Sequence, residues 1–300
     1  MITFLSGGTG TPKLIRGMRH HLPDHEISVV VNTAEDVWMS GGFVSPDIDT
    51  LIYLFAGLLN TSSWWGLEGD TFITHNELNR LDGGEYIAIG DRDRAVHLIR
   101  GELLRGGMTL TAATARLCMA LGVTAHILPM TDTPVETVVN SGGREIHFQE
   151  YWVRHRGAIP IEGVRRRWTV PPVATPGVIS AITTAEAVII GPSNPITSIL
   201  PILECRGVRE ALEEVPVVAV SPFIGHAPVS GPAAALMRAR GLFPDSSATR
   251  ELYAGFLDFF IHDSSDPLEV SGAIRMDTLM NRPGVDEALA KRILSLVRGG

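Results

Sequence analysis

The run Ile2-Thr3-Phe4-Leu5, followed by Ser6-Gly7-Gly8-Thr9-Gly10-Thr11-Pro12-Lys13, carries the fold. The apolar tetrad predicts a strand and the glycines after it a tight turn. A helix is predicted to about His21, with Pro12 in its first turn, where a missing N–H costs nothing. Such a turn lets backbone N–H groups approach an anion, and the helix N-terminus favours negative charge there. The stretch is not a Walker A loop, because Lys13 is neither preceded by Gly nor followed by Ser or Thr. It is not the dinucleotide fingerprint either, because the third glycine after Gly8-Thr9-Gly10 is missing. Gly7, Gly8, Thr9, Gly10, Thr11 and Lys13 are read as a phosphate loop, with a plain turn as the alternative. Lysine is scarce: Lys13 and Lys291 are the only two among 25 basic residues.

Outward from this unit, the same rhythm repeats. Ile27–Asn32 (ISVVVN) is too apolar to have a wet face and reads as a central parallel strand. A loop at Ser40–Ser45 precedes a helix opening at Pro46 and running to about Leu58. Glu85–Ile89 reads as a strand, followed by helices at about Ala95–Leu104 and Leu110–Leu121. Thr124–Leu128, Ala187–Ile190, Val215–Val220 and Phe259–His262 read as further strands, and Pro283–Val297 as a closing helix. Between them, Val135–Asn140 and Arg144–Tyr151 flank Ser141-Gly142-Gly143 and predict a β-hairpin. The expected architecture is α/β: a doubly wound, Rossmann-like parallel sheet with an inserted subdomain or lid. Its parts are a first core segment at 1–134, the insertion at 135–175 and a second core segment at 176–300.

Ligands of open α/β sheets lie beyond the carboxyl ends of the strands. Several such ends carry unusual residues here. Asn32 through Asp36 suits a ribose hydroxyl or, equally, a helix cap. Asp47 and Asp49 sit at i and i+2 near a helix start and converge only if the first lies in the loop. So placed, they would hold a divalent cation and orient a hydroxyl. Asp91-Arg92-Asp93, after Gly90, suits a metal and a phosphate clamp, or a salt-bridged turn. Gly191-Pro192-Ser193-Asn194-Pro195 and Ser221-Pro222-Phe223-Ile224-Gly225 are rigid loops, fit for a nucleobase or phosphate or simply structural.

The chain of 300 residues is 45% apolar and 19% charged, with a formal net charge of −8, so it has material for a sizeable core. Its mean hydropathy is +0.17. The acidic balance argues against nucleic acid and anionic membranes as partners. Cys118 and Cys205 sit in apolar helical contexts and read as buried free thiols. No secretory pattern opens the sequence and no apolar run is long enough for a membrane span, so a cytoplasmic protein is expected.

In order, SGGTGTPKL, VVVNTAED, SPDIDTLIY, WWGLEGDTF, IGDRDRA, LPMTDTPV, VIIGPSNPITSI, VVAVSPFIG and DTLM resemble the 2-phospho-L-lactate transferase family, from Ile2 to about Met280. APVSGPA (Ala227–Ala233) looks like the archaeal methanogen members. His226 departs from the glycine that many members carry. The resemblance implies transfer of a phospholactyl unit from a guanosine diphosphate-linked lactyl donor to the ribityl hydroxyl of the deazaflavin Fo, with release of GMP. It implies Mg2+ and a homodimer. Carried onto this chain, it gives the nucleotide to Gly7–Lys13, Gly191 and Ser193–Pro195, with Asn32, Asp36, Asp91, Ser221 and Gly225 as further ligand contacts. Asp47 and Asp49 take the cation and the attacking hydroxyl, and Arg92 a phosphate or the deazaflavin. Trp64-Trp65 either lids the flat ring, with Trp65 in contact, or belongs to the core. A non-catalytic, nucleotide-sugar-binding regulator of the same superfamily is the competing reading.

Overall fold

The computed structural model describes residues 1–299. The strands in chain order begin with β1 (Ile2–Ser6), β2 (Ile27–Val31), the hairpin β3 (Val37–Met39) and β4 (Gly42–Val44), and β5 (His126–Pro129). They continue with β6 (Glu136–Ser141), β7 (Arg144–His147), β8 (Gly163–Arg167), β9 (Ala187–Ile190) and β10 (Val217–Val220). The last are β11 (Phe223–Ile224), β12 (Ala227–Pro228), β13 (Phe259–Asp263) and β14 (Ile274–Met276). The first five α-helices are α1 (Gly10–Met18), α2 (Pro46–Phe55), α3 (Ile73–Arg80), α4 (Asp91–Arg105) and α5 (Leu110–Ala120).

Seven strands form one sheet in the order β14-β13-β10-β9-β1-β2-β5, and every pairing in it is parallel. This is a doubly wound, Rossmann-like order: from β1 the chain winds to β2 and β5, then returns to the other side through β9. Both faces of β1 are buried, which explains its unbroken apolar reading. Ile2 and Phe4 pack with Leu14, Ile15 and Met18 of α1 and Leu289 and Ile293 of the closing helix Val285–Val297. Leu5 faces the opposite layer, with Val178, Ile182 and Ile202. Cys118 and Cys205 are buried free thiols.

The predicted strand at Glu85–Ile89 is not one. Ile87 and Ile89 instead pack with Val44 in a small side cluster, and Glu85 is gripped by Arg94 at 2.9 and 2.7 Å and by His75 Nδ1 at 2.7 Å. Side-chain anchoring buries this apolar run without any strand partner. The predicted Ser40–Ser45 loop contains the second arm of the β3–β4 hairpin. In the insertion, β6 pairs with β7 as expected, but also with β8, giving a three-stranded antiparallel sheet. The second arm ends at His147, and a π-helical turn follows at Glu150–Arg154. Phe148, Tyr151 and Val164 of the insertion share a core with Ile196, Phe223 and Leu236. No described helix is long and apolar enough to cross a membrane.

Candidate active site at the switch point of the sheet

The winding reverses between β1 and β9, and the crevice beyond their carboxyl ends is where open α/β sheets bind ligands. The two loops that leave these strands interlock. A Cβ on Gly10 would stand 2.0 Å from Pro192 O, and one on Gly191 would stand 2.2 Å from Thr11 Oγ1, so both positions exclude a side chain. Thr11 Oγ1 and Ser193 Oγ are 2.7 Å apart, and Ser193 donates to Gly7 O. Gly7–Gly10, Ser193, Asn194, Thr197 and Ser198 line the resulting cleft, which Glu35, Phe148 and Trp152 also face. Asn194 caps the π-helical turn Pro195–Ile199, its Oδ1 accepting from Ile196 N at 3.0 Å and Thr197 N at 3.4 Å. The structure brings the glycine loop and the GPSNP loop, both singled out in the sequence, to one cleft. Thr197, Ser198 and the two insertion aromatics were missed, because local spacing says nothing about which distant segments meet.

Glu35 faces this cleft, and Asp47 is buried against the glycine loop that lines it. Asp47 Oδ1 accepts from Gly8 N at 2.7 Å and Oδ2 from Asn32 Nδ2 at 2.9 Å, while Asn32 Oδ1 accepts from Ala34 N at 3.1 Å. Burial raises Asp47 to a pKa of about 6, against the opposing effect of these hydrogen bonds. Burial first, and then the Asp47 charge, push Glu35 well above the ordinary carboxylate range. Gln149 Nε2 donates to Glu35 at 3.2 Å. Glu35 lies inside the Asn32–Asp36 stretch, where local spacing does not mark it out from Asn32 and Asp36. Two buried carboxylates that repel each other at the edge of a glycine cleft are suitable hard-oxygen donors for a divalent cation.

Asp36 faces the other way. Its Oδ1 accepts from Ser45 Oγ at 2.8 Å, its buried Oδ2 has no partner, and burial raises its pKa well above the usual range. It lines a second cavity of about 500 Å³ between the ends of β2 and β5. Trp38, Phe43, Leu104, Met108 and Val135 give this slot largely apolar walls. The sequence reading did not find it, because its walls come from a hairpin, two helix ends and the loop after β5.

Asp47 and Asp49 do not converge. The helix α2 begins at Pro46, so both residues are helical and project about 200° apart. Asp49 is held by Arg100 through both guanidinium branches, by His97 Nε2 at 3.0 Å and by Ser45 N at 3.3 Å. Asp93 lies 3.1 Å from His97 Nε2 and accepts from Tyr53 Oη at 2.6 Å. Asp49, Asp93 and His97 have the spacing of a metal cluster. Their charges argue otherwise. Burial works against a charged His97, but Asp49 and Asp93 outweigh it and raise the imidazole to about 9. Burial would raise Asp49, but Arg100 and His97 hold it down to about 2. His97 and Arg100 thus already face the Asp49 and Asp93 carboxylates, and Asp47 with Glu35 is the other pair of buried carboxylates near the glycine loop.

Other predicted positions are dispersed. Asp91 caps α3, accepting from Ile73 N and Thr74 N at 2.9 Å each, while Asp70 reciprocally accepts from Arg92 N and Asp93 N of α4 at 3.0 Å each. Arg92 is exposed and lines neither cavity, its Nη1 lying 3.5 Å from Glu68 O. Lys13 Nζ stands 5.3 Å from the Trp64 ring centroid, outside the cleft lining. Trp65 packs with the Val44, Ile87 and Ile89 cluster. Ser221 Oγ pairs with Ser246 Oγ at 2.8 Å and Gly225 N donates to Asp266 Oδ1 at 2.9 Å, so this loop is tied to the segments at Ser246 and Asp266 and offers Pro222 to the cleft.

The model of the family described as 2-phospho-L-lactate transferase CofD matches residues 2–285. The chain belongs to that family. It is therefore a transferase. It is 57% identical over 295 residues to a 2-phospho-L-lactate transferase of Methanospirillum hungatei, covering 98% of this chain and 99% of the relative. It is 56% identical to that of Methanocorpusculum labreanum, with 98% of each chain covered. A solved UPF0052 family protein of Bacillus halodurans shares the fold, with a TM-score of 0.63 and 15% identity over 98% of this chain and 99% of that one.

Proposed function

We propose that the chain transfers the phospholactyl group of lactyl-2-diphospho-5'-guanosine to the ribityl hydroxyl of 7,8-didemethyl-8-hydroxy-5-deazariboflavin (Fo), giving coenzyme F420-0 and GMP. One observation supports this above the rest: Glu35 and Asp36 are adjacent, yet Glu35 lines the glycine cleft and Asp36 the apolar slot. A donor diphosphate in the cleft and a flat acceptor in the slot would meet across this dipeptide. The acceptor hydroxyl oxygen attacks the lactyl-bearing phosphorus, and the bond from that phosphorus to the bridging oxygen breaks. GMP leaves with the bridging oxygen.

In-line phosphoryl transfer calls chiefly for positioning and charge neutralisation. The opening amides of α1 have no partner inside their helix and are free for phosphate oxygens. Asp36, with its unpartnered Oδ2 and raised pKa, is the group we assign to receive the hydroxyl proton. Glu35 and Asp47 would hold Mg2+, which when bound supplies charge neutralisation to the diphosphate. The family resemblance adds a homodimer to this reading, and the sequence pattern a cytoplasmic setting. The test is product analysis by mass spectrometry after incubation with both substrates and Mg2+. F420-0 and GMP in equal amounts support it. Binding of a nucleotide sugar with no Fo binding and no product would overturn it in favour of the regulator.

A further inference from the structure

Behind the cleft, Pro195–Ile199 forms a π-helical turn: Ile199 N donates to Asn194 O at 3.2 Å, and Leu200 N to Pro195 O. The next donor in this i to i+5 ladder would be the N–H of Pro201, directed at Ile196 O, and proline has none. Arg166, from β8 of the insertion, fills that place, its Nη2 donating to Ile196 O. Arg166 is buried, and its Nε and Nη1 make no hydrogen bond, Glu204 standing 3.4 Å from Nε. This guanidinium is thus a buried cation whose hydrogen bond is made to one backbone carbonyl of the turn.

The front of the same turn meets Glu35 and the glycine loop. Thr197 and Glu35 line the same cleft, and the Thr197 side chain stands near enough to Glu35 to oppose the rise in its pKa. Ser198 stands so close to Gly7 that a Cβ there would come within 2.6 Å of Ser198 Cβ. In close-packed surroundings, relaxation of the turn would shift Thr197 and Ser198 together.

We propose that Arg166 is a positioning residue of the nucleotide cleft: it supplies the backbone donor that Pro201 lacks, and so holds the π turn that sets Thr197 against Glu35 and Ser198 against the glycine loop. The inserted sheet thereby contributes to donor binding without touching the donor. This rests on the nucleotide reading of the cleft.

The test uses the full chain and three variants: Arg166→Met, Pro201→Ala and both together. GDP affinity is measured by calorimetry, KM for donor and acceptor by turnover, and amide exchange at Ser198 and Ile199 by mass spectrometry. Arg166→Met should weaken GDP at least tenfold and raise the donor KM to match, leave the Fo KM within twofold, and speed exchange in the turn. Pro201→Ala restores a backbone N–H, so alone it should stay within threefold of wild type, and in the double variant it should bring GDP affinity back to within threefold. GDP binding by Arg166→Met within threefold of wild type would overturn the proposal, as would a double variant as weak as Arg166→Met. Should Arg166→Met fail to fold, a folded, GDP-binding double variant supports the proposal and an unfolded one overturns it. Wild-type protein that does not bind GDP overturns the nucleotide reading itself, and this proposal with it.

Discussion

Asp47 Oδ1 accepts a 2.7 Å hydrogen bond from Gly8 N, so the carboxylate of α2 directly shapes the glycine turn after β1. The contact ties the wall that would hold a cation to the loop that would hold a phosphate. Asp47→Asn separates the two roles. The amide oxygen can still accept from Gly8, but the amide nitrogen then faces Asn32 Nδ2, donor to donor. That mismatch costs about 1–2 kcal/mol of stability. Loss of the charge should lower kcat by roughly a thousandfold, an electrostatic effect of the size seen when a charge-stabilising group is removed. Denaturant titration and turnover on the same preparation check both. Turnover within tenfold of wild type would remove Asp47 from the reaction.

The interlock of the two switch-point loops has its own test. Gly10→Ala places a Cβ 2.0 Å from Pro192 O, a backbone atom that cannot swing aside. The loops must part, at a cost of about 3 kcal/mol, the range of overpacking in a dense interior. Urea denaturation would report the loss, and the same variant should bind GDP more weakly because the cleft is made of these loops. A stability change below about 1 kcal/mol would show that the loops yield independently.

These two positions also mark what the sequence made legible. The β1 strand, its glycine turn, the GPSNP loop and the α/β rhythm were readable because each depends on local chemistry: burial on both faces, positive φ at Gly8, a proline-bounded turn. The Asp47–Asp49 pairing failed because it required Asp47 in a loop, and Pro46 starts the helix one residue earlier. Glu85–Ile89 failed because apolar β-branched character reports burial, not which partner provides it. The apolar slot and the buried Arg166 were invisible, since both are assembled from segments far apart in the chain.

The slot is tested by filling it. Met108 lies on its wall, half-buried, at a point where a larger side chain would project into the space. Met108→Trp should raise the KM for Fo at least tenfold and leave the donor KM within twofold, the split expected when one of two separate sites is blocked. Steady-state kinetics with each substrate varied in turn decides it. Equal changes in both constants would mean that the slot is not the acceptor site.

Asp91 and Asp70 exchange caps between two helices, each serving the N-terminus of the other's segment. A cap and a metal ligand respond differently to the same change. Asparagine caps nearly as well as aspartate, whereas alanine does not cap at all. Asp91→Ala should lower the thermal midpoint and Asp91→Asn should recover most of it, with the Mg2+ dependence of turnover unaltered in Asp91→Asn. A Mg2+ requirement shifted by Asp91→Asn would return this residue to the metal site.

The Asp49–His97–Asp93–Arg100 cluster sets two carboxylates against two cations inside the protein, and it should be visible in the pH dependence of stability. His97 has a folded pKa of about 9 against an ordinary 6.5. A raised pKa means that its contribution is fully present below about 6.5 and is lost as pH rises through about 9. The size is on the order of 3 kcal/mol, from the energy of one pKa unit. Asp49, held at about 2, gives the opposite edge: its contribution is present above its ordinary 3.8 and is lost as pH falls through about 2. Urea denaturation of wild type and His97→Gln between pH 6 and pH 10 isolates the upper edge. Wild type should lose its advantage over the variant across pH 7 to 9. A constant difference over that range would show that His97 is neutral in the fold, and would reopen the cluster as a metal site.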